Sequence, residues 1–306
     1  MNEEILDMPL IEKPEKRITA FDWAVFIGLS TIWGFSFFFI KKGLEVFEPV
    51  QVAAFRMTIA FLSLTPMFFV HAKQLKLQAH QWKMVPLLGL FGNMIPAICF
   101  CVAGTKIDSA LSGIMNSTTP LFALLIGGLF FGVMLTRNKI LGVLLGFVGA
   151  IIIVLSKQKG IHSINWYVLL PLLATICYGL NANIFKAGFQ QNNPVVIALW
   201  QYAFVAFFSF IYLWYSGAFH LLFTNFGKAW HSLKYLLLLG IFGTGIAQVF
   251  FNVLAQRTSA LFATMTTYLI PMVAILVGLF IGEKIHILHL IGLAIILSGI
   301  YIGSRN

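Results

Sequence analysis

The chain has 306 residues, of which 59% are hydrophobic and 10% are charged, and its mean hydropathy is +0.91. Soluble domains carry roughly 25% charged residues, so this composition excludes a soluble protein and indicates an integral membrane protein. The formal net charge is +10, but Lys and Arg are scattered over loops instead of forming a stripe. This distribution argues against a nucleic-acid partner and leaves the lipid bilayer as the expected environment.

The first 18 residues are polar and mixed in charge. They lack the basic start, apolar core and small-residue cleavage site of a signal peptide, so we expect residues 1–18 to form a cytoplasmic tail. Placing this end inside assigns eleven Lys and Arg residues to cytoplasmic loops and eight to the opposite side. The positive-inside rule therefore favours both termini in the cytoplasm, with the chain in a cytoplasmic (inner) membrane.

Apolar stretches long enough to cross about 30 Å of hydrocarbon recur along the whole chain. They are helices, because lipid satisfies no backbone group and the strict alternation of barrel strands is missing. The predicted fold class is all-α integral membrane. The ten predicted transmembrane helices cover 20–41, 49–71, 82–104, 107–133, 137–156, 165–188, 193–216, 232–255, 258–282 and 285–304.

The second half of the sequence repeats the first. At an offset of 145 residues, Lys41 matches Lys186 and Pro49 matches Pro194. After a longer loop the offset becomes 151, which pairs Leu88–Gly92 (LGLFG) with Leu239–Gly243 (LGIFG) and Pro120 with Pro271; Gly142 and Gly149 then pair with Gly292 and Gly299 at 150. The predicted units are a five-helix repeat at 19–157 and another at 165–304.

An odd number of helices in each unit makes the second copy enter the membrane from the opposite side, so the repeat is predicted to be inverted. Inverted repeats enclose a central site that can open to either side, which is the architecture of many secondary transporters. The sequence of both halves, including SALSGIMNSTTPLFALLIGGLFFG from residue 109, resembles the EamA group of the drug/metabolite transporter superfamily. The resemblance implies ten helices in two inverted repeats and the export or exchange of small metabolites, often amino acids. One departure is that Gly282-Glu283 fits a Gly-Glu pair of the family, whereas the first half has Gly132-Val133.

Polar residues precede a mid-span proline in both repeats. In the first, Asn116 and Thr119 lie before Pro120; in the second, Thr264, Thr267 and Tyr268 lie before Pro271. Proline removes a backbone hydrogen bond, so both helices should kink at the same depth, with Pro120 and Pro271 as hinges. We expect the solute to bind there; the alternative is that these hydroxyls bond back to their own helix.

Arg56 is the one charge well inside a predicted span, seven residues after Pro49. A guanidinium in hydrocarbon needs a partner or a wet cavity, so Arg56 is a candidate for binding a carboxylate. The alternative is snorkelling to the interface or capping of carbonyls. Trp33 and Tyr178 occupy matched positions and could stack on the apolar part of a solute, although aromatic residues in helices usually serve packing. Secondary candidates are Asn181, Gln248 and Asn252.

No acidic residue or histidine lies in the middle of a span, so no midplane proton site is evident, and a uniporter or exchanger is as well supported as an antiporter. Enzyme, metal and nucleotide motifs are missing, so we expect no catalytic residue, metal or cofactor. Cys99, Cys101 and Cys177 fall in apolar spans and are expected to be core residues. Four Gly-x-x-x-Gly motifs indicate close helix packing, and a monomer and a homodimer are both compatible with them.

The predicted function is secondary transport by alternating access of a small molecule, with an amino acid or relative as the favoured solute. Another solute class, such as a nucleoside, sugar conjugate or drug-like cation, is the alternative. A membrane sensor or enzyme is less favoured, because a sensor needs an output domain for which the tails are too short.

Overall fold

The computed structural model describes residues 18–107, 109–157, 166–224, 226–273 and 287–304. The regular structure in these ranges is helical throughout. The helices are α1 (Ala20–Leu44), α2 (Pro49–Val70), α3 (Ala79–Ala103), α4 (Ser109–Asn116), α5 (Thr119–Phe130), α6 (Arg137–Lys157), α7 (Trp166–Gly188), α8 (Pro194–Tyr215), α9 (Ala218–Thr224), α10 (Phe226–Arg257), α11 (Ala260–Val273) and α12 (Ile287–Gly303), with a short 3₁₀ turn at Ala72–Gln74.

Six of these helices, α1, α2, α3, α7, α8 and α10, are long and apolar enough to cross a membrane. Thr119–Phe130, Ala260–Val273 and Leu290–Gly303 are shorter apolar helices. The chain is therefore a multi-pass membrane protein. Part of the predicted ninth span, including Gly278-x-x-x-Gly282 and the Gly282-Glu283 pair, lies outside the described residues, so the count of ten spans stays a prediction.

Helix starts follow from local sequence. In α1, Thr19 and Asp22 form a capping box, with Thr19 N donating to Asp22 Oδ2 at 2.9 Å and Asp22 N donating to Thr19 Oγ1 at 3.4 Å. The matched helices α2 and α8 both begin at proline, Pro49 and Pro194, whose fixed φ and missing N–H suit the first helical position.

The structure differs from the predicted spans in two places. The span at 107–133 is two helices, because residues 117–118 form a turn between α4 and α5. Helix α10 begins at Phe226 instead of residue 232. Its first turns are amphipathic, with Phe226 and Trp230 exposed, so they fall below the hydropathy of a lipid-buried run while suiting the membrane interface.

A π-helical turn interrupts α3 at Leu90–Met94, and another interrupts α10 at Ile241–Ile246. The two turns coincide under the 151-residue offset, since Gly92 matches Gly243 and Asn93 matches Thr244. Single π turns are rare and frequently mark functional positions, because they leave backbone groups without regular helical partners.

Helices α6 and α12 cross with their backbones in close contact. A Cβ atom added at Gly142 would lie 2.6 Å from Gly299 O, and one added at Gly149 would lie 2.7 Å from Gly292 O. Because Gly142 pairs with Gly292 and Gly149 with Gly299, each contact becomes the other when the repeats are exchanged. These glycines pack within one chain.

Two contacts between other helices are also converted into each other when the repeats are exchanged. A Cβ at Gly243 would lie 2.8 Å from Ser36 Oγ, and a Cβ at Gly92 would lie 2.5 Å from Asn181 Oδ1, where Ser36 and Asn181 are matched residues. The first helix of each predicted repeat thus crosses the π turn of the other repeat. These crossings surround the candidate site.

Candidate functional site

A cavity lies where α1, α2, α3, α7, α8, α10 and α11 meet the turn between α4 and α5. Its volume is about 90 Å³, several times the 10–15 Å³ that one water needs. The lining residues are Trp33, Ser36, Phe37, Ile40, Arg56, Gly92, Asn93, Phe100, Asn116, Thr119, Tyr178, Asn181, Tyr202, Gly243, Thr244, Gln248, Phe251, Thr264, Thr267 and Ile270.

Arg56 is the one charged side chain among the described residues of this lining. Its Nε donates to Thr244 Oγ1 at 2.6 Å, in the π turn of α10. Arg56 therefore points toward the opposite repeat and is held by a neutral partner. Its terminal nitrogens make no hydrogen bond within the described part of the chain, so the guanidinium can still donate to an anion.

Tyr202 joins the two π turns. Its hydroxyl lies 2.6 Å from Asn93 Oδ1 and 3.1 Å from Thr244 O, so it can donate to either acceptor. Tyr202, Asn93 and Thr244 are all buried. This network positions the Thr244 hydroxyl oxygen that accepts from Arg56, because Thr244 also donates its own hydroxyl proton to Leu239 O at 2.8 Å.

The threonines of the cavity use their hydroxyl protons locally. Thr119 Oγ1 donates to Asn116 O at 2.7 Å, Thr264 Oγ1 to Leu261 O at 2.8 Å, and Thr267 Oγ1 to Thr264 O at 2.9 Å. Back-bonding to the helix, the alternative that the sequence left open, is therefore present. It does not remove these residues from the site, because each oxygen keeps a lone pair and acts toward the cavity as an acceptor.

Two lining amides lack the partners that buried polar groups normally have. Asn116 Oδ1 and Asn181 Oδ1 are each buried without a hydrogen bond to any described residue. A buried acceptor without a partner costs about 1–3 kcal/mol. A cavity holding water or a solute supplies the partner that the protein lacks.

Aromatic rings form two matched pairs on the cavity wall. Trp33 lies with its ring centre 5.8 Å from that of Phe251, and Tyr178 stacks on Phe100 at 6.2 Å. Trp33 Nε1 also donates to Gly243 O in the π turn at 3.2 Å. The pairs provide apolar area and ring faces that attract cations.

Most predicted site residues come together here, while Tyr268 and Asn252 do not line the cavity. The Tyr268 hydroxyl donates to Val143 O at 2.8 Å, and its ring occupies the space beside Gly146. Asn252 accepts from Gln248 Nε2 at 2.9 Å and donates to Pro194 O at 3.3 Å. Both side chains have partners within the protein and lie outside the cavity lining, so a role for either in binding stays a prediction from the sequence.

The two prolines differ in context. Pro120 lies in the first turn of α5, directly after the break in the helix. Pro271 follows a 3₁₀ stretch at Met265–Leu269 in α11. The regular α-helix is thus interrupted beside both prolines, and their action as moving hinges stays a prediction. Cys99, Cys101 and Cys177 are free and buried.

Sequence reasoning missed Asn93, Thr244, Tyr202 and Ser36. A signal existed for three of them, because Asn93 and Thr244 follow the matched glycines Gly92 and Gly243, and Ser36 is the counterpart of Asn181. The π turns that bring Asn93 and Thr244 to the cavity have no pattern in the sequence that distinguishes them from α-helix.

A multi-pass helical chain with a mixed polar and aromatic cavity between two sequence repeats has the architecture of a membrane transporter. The model of the EamA-like transporter family matches residues 23–155 and again residues 165–305. The chain belongs to the EamA-like transporter family.

Individual relatives are distant but cover about nine tenths of the chain. An "Uncharacterized transporter" of Archaeoglobus fulgidus is 24% identical over 93% of this chain and 99% of its own length. A "Probable amino-acid metabolite efflux pump" of Salmonella typhimurium is 24% identical over 89% of this chain and 90% of its own length. A protein of known crystal structure shares the fold with a TM-score of 0.70 at 17% identity, over 94% of this chain and 97% of that one.

Proposed function

We propose that this protein exports or exchanges an α-amino acid or a close relative across the cytoplasmic membrane by alternating access. Both termini would lie in the cytoplasm, and the two five-helix repeats would be inverted. The exchange of matched contacts at the α6–α12 crossing and at the two π turns supports a two-fold relation between the repeats. Such a relation is what alternating access around a central cavity requires.

The observation that carries the solute class is the separation of donors and acceptors in the cavity. Arg56 offers a cationic donor, whereas Thr119, Thr264 and Thr267 offer only lone pairs because their protons are bonded to the main chain. A solute that fits both needs an anionic acceptor at one end and a donor at the other. The carboxylate and ammonium groups of an amino acid provide this combination.

The competing solutes satisfy one part of the site. A drug-like cation would be repelled by Arg56, which has no acidic neighbour among the described lining residues. A sugar or nucleoside would leave the guanidinium without an anion. The Salmonella relative is named a probable amino-acid metabolite efflux pump, which supports the same class.

The test is thermal stabilisation of the detergent-purified protein by a panel of free amino acids, their N-acetyl derivatives and methyl esters, nucleosides, sugars and organic cations. A ligand at 100 times its dissociation constant stabilises the folded state by about 2.7 kcal/mol. We expect free amino acids to raise the melting temperature and both blocked derivatives to fail. Equal stabilisation by an ester or an organic cation would contradict the proposal.

A pair of variants assigns the effect to the cavity. Asn116→Ala changes a lining residue, and we expect it to reduce the shift produced by amino acids. Tyr268→Phe removes a hydroxyl outside the cavity, so it should lower the melting temperature of the empty protein while leaving the ligand-induced shift intact. Counterflow of the stabilising amino acid in liposomes then measures transport.

A further inference from the structure

Gln201 is the counterpart of Arg56 in the second repeat, yet the two residues have opposite surroundings. Arg56 lines the cavity, whereas Gln201 is 0% exposed and does not line it. Neither Gln201 Oε1 nor Nε2 has a hydrogen-bond partner among the described residues. Because both ends of a buried amide are unpaired, this arrangement of the protein carries a free-energy cost at Gln201.

The backbones at the two positions are nevertheless placed alike. A Cβ at Gly240 would lie 3.3 Å from Arg56 O, and a Cβ at Gly89 would lie 3.2 Å from Gln201 O. Gly240 and Gly89 are matched, and each lies one helical turn before the π-turn residue, Thr244 or Asn93. The backbone at position 201 is thus placed relative to Asn93 as the backbone at position 56 is placed relative to Thr244.

Asn93 hydrogen-bonds to a different residue of the second repeat, Tyr202. Its Oδ1 accepts from the Tyr202 hydroxyl at 2.6 Å, and its Nδ2 makes a long contact of 3.5 Å to Leu88 O. The counterpart of Tyr202 in the first repeat is Met57, which has no hydroxyl with which to occupy Thr244. The hydrogen bond equivalent to Arg56–Thr244 is not formed on the second repeat in this arrangement, where Tyr202 and not Gln201 contacts Asn93.

Three matched pairs on the first helices of the two repeats, α1 and α7, differ in the same sense. Phe37 and Ile40 line the cavity, whereas their counterparts Ala182 and Phe185 are packed in an apolar core cluster. Lys186 Nζ donates to Ala255 O at 2.9 Å at the end of α10, while its counterpart Lys41 is exposed. The cavity in this arrangement therefore extends farther along α1 than along its counterpart α7.

We propose that Gln201 is a positioning residue of the transport cycle, which pairs with Asn93 and enters the cavity when the repeats exchange conformations. This inference rests on the proposed alternating access. In that opposite-facing arrangement, position 201 acquires the surroundings that position 56 has here, and Tyr202 releases Asn93. The unpaired amide of Gln201 raises the free energy of the present arrangement, so it keeps the opposite one accessible.

The test compares Gln201→Met with Thr58→Val in otherwise identical protein. Met preserves the length of the side chain without its polar atoms. Thr58 Oγ1 is also buried without a partner among the described residues, so Thr58→Val removes the same kind of group away from the cavity lining. Both variants should keep or raise the melting temperature, because each deletes an unpaired buried group.

The deciding readout needs no solute. Ser36 lines the cavity, and Ser36→Cys provides a thiol for a membrane-impermeant reagent applied to either side of oriented vesicles. Protein without this change gives the background, because its three cysteines are buried. We expect the Ser36→Cys protein to react from both sides, and Gln201→Met to reduce labelling from one of the two sides about tenfold. Thr58→Val should label like the parent.

Equal labelling of the Gln201→Met protein and the parent from both sides would overturn the role of Gln201. Labelling of the parent from one side only would overturn it as well, because no opposite-facing arrangement would exist. Failure of every amino acid to bind or to be transported would instead refute the proposed solute and leave the labelling result valid. The two proposals are therefore distinguishable.

Discussion

The predicted repeats meet in two places with different chemistry. At the crossing of α6 and α12, glycines bring backbones together, and Gly142 has no room for a side chain. At the cavity, the same exchange of matched contacts involves polar residues, of which Asn116 and Asn181 have unpaired oxygens. The packing at the crossing needs no other molecule, whereas the cavity has polar groups that must hydrogen-bond to a water or a solute. Substitutions at the two places should therefore affect different properties.

The largest effect on stability is expected at the crossing. In Gly142→Leu, the new side chain would meet the backbone of α12, which cannot move aside as a flexible side chain can. Overpacking of this kind should cost about 3 kcal/mol or more. Monodisperse yield in size-exclusion chromatography and the melting temperature measure it. Gly28→Leu is the control, because a Cβ at Gly28 has no atom within 4 Å, and unchanged stability of Gly142→Leu would refute the close crossing.

The largest effect on binding is expected at Arg56. Arg56→Gln places at this position the residue that the second repeat has at 201. Because a hydrogen bond to a charged group contributes about 1.5–3 kcal/mol, affinity for an amino acid should fall about 10- to 100-fold. Titration of the purified protein by calorimetry measures this change. Unaltered affinity would show that Arg56 does not contact the carboxylate, provided that the melting temperature of the empty variant is near that of the parent.

A smaller effect on stability is expected where Tyr202 joins the π turns. Tyr202→Phe leaves the buried Asn93 Oδ1 without its donor at 2.6 Å, which should cost about 1–3 kcal/mol. Tyr178→Phe is the matched control, because the Tyr178 hydroxyl makes no hydrogen bond within the described residues. The comparison is made by melting temperature without ligand. If both variants melted at the same temperature, the hydrogen bonds of Tyr202 that link the two π turns would contribute nothing to the stability of the fold.

The contrast also explains what the sequence could predict. The helices and the choice of Arg56 as a candidate can be predicted from residue types, because lipid penalises unpaired backbone groups and charges wherever they occur. The repeat can be predicted from residues that match at fixed offsets. Because Trp33 matches Tyr178 and Asn116 matches Thr267 at the repeat offsets, the sequence predicts both members of each pair at one site. The π turns at Gly92 and Gly243 depend on how helices of opposite repeats cross, and no local pattern encodes that.

Tyr268 shows the limit of the same reasoning. A phenol at membrane depth needs a partner, and the prediction assigned that partner to the solute. The partner is Val143 O on α6, which is within reach because Gly146 leaves space for the ring. Sequence alone reports that a polar group must be satisfied, while the packing of distant helices decides whether protein or solute satisfies it.

The smallest expected effect is at Thr267, where a comparison with the neighbouring Thr266 separates the effect on binding from the effect on stability. Thr267→Val removes a lining hydroxyl whose proton is already bonded to Thr264 O, so stability should change by less than about 0.5 kcal/mol. The solute's ammonium group would lose one neutral acceptor, which should weaken binding about 2- to 10-fold. Its neighbour Thr266 also bonds back, to Ala263 O, but is fully buried and does not line the cavity. Thr266→Val should therefore leave affinity unchanged. Equal losses of affinity in the two variants would mean that the hydroxyls affect binding through the conformation of α11 and not as acceptors in the cavity.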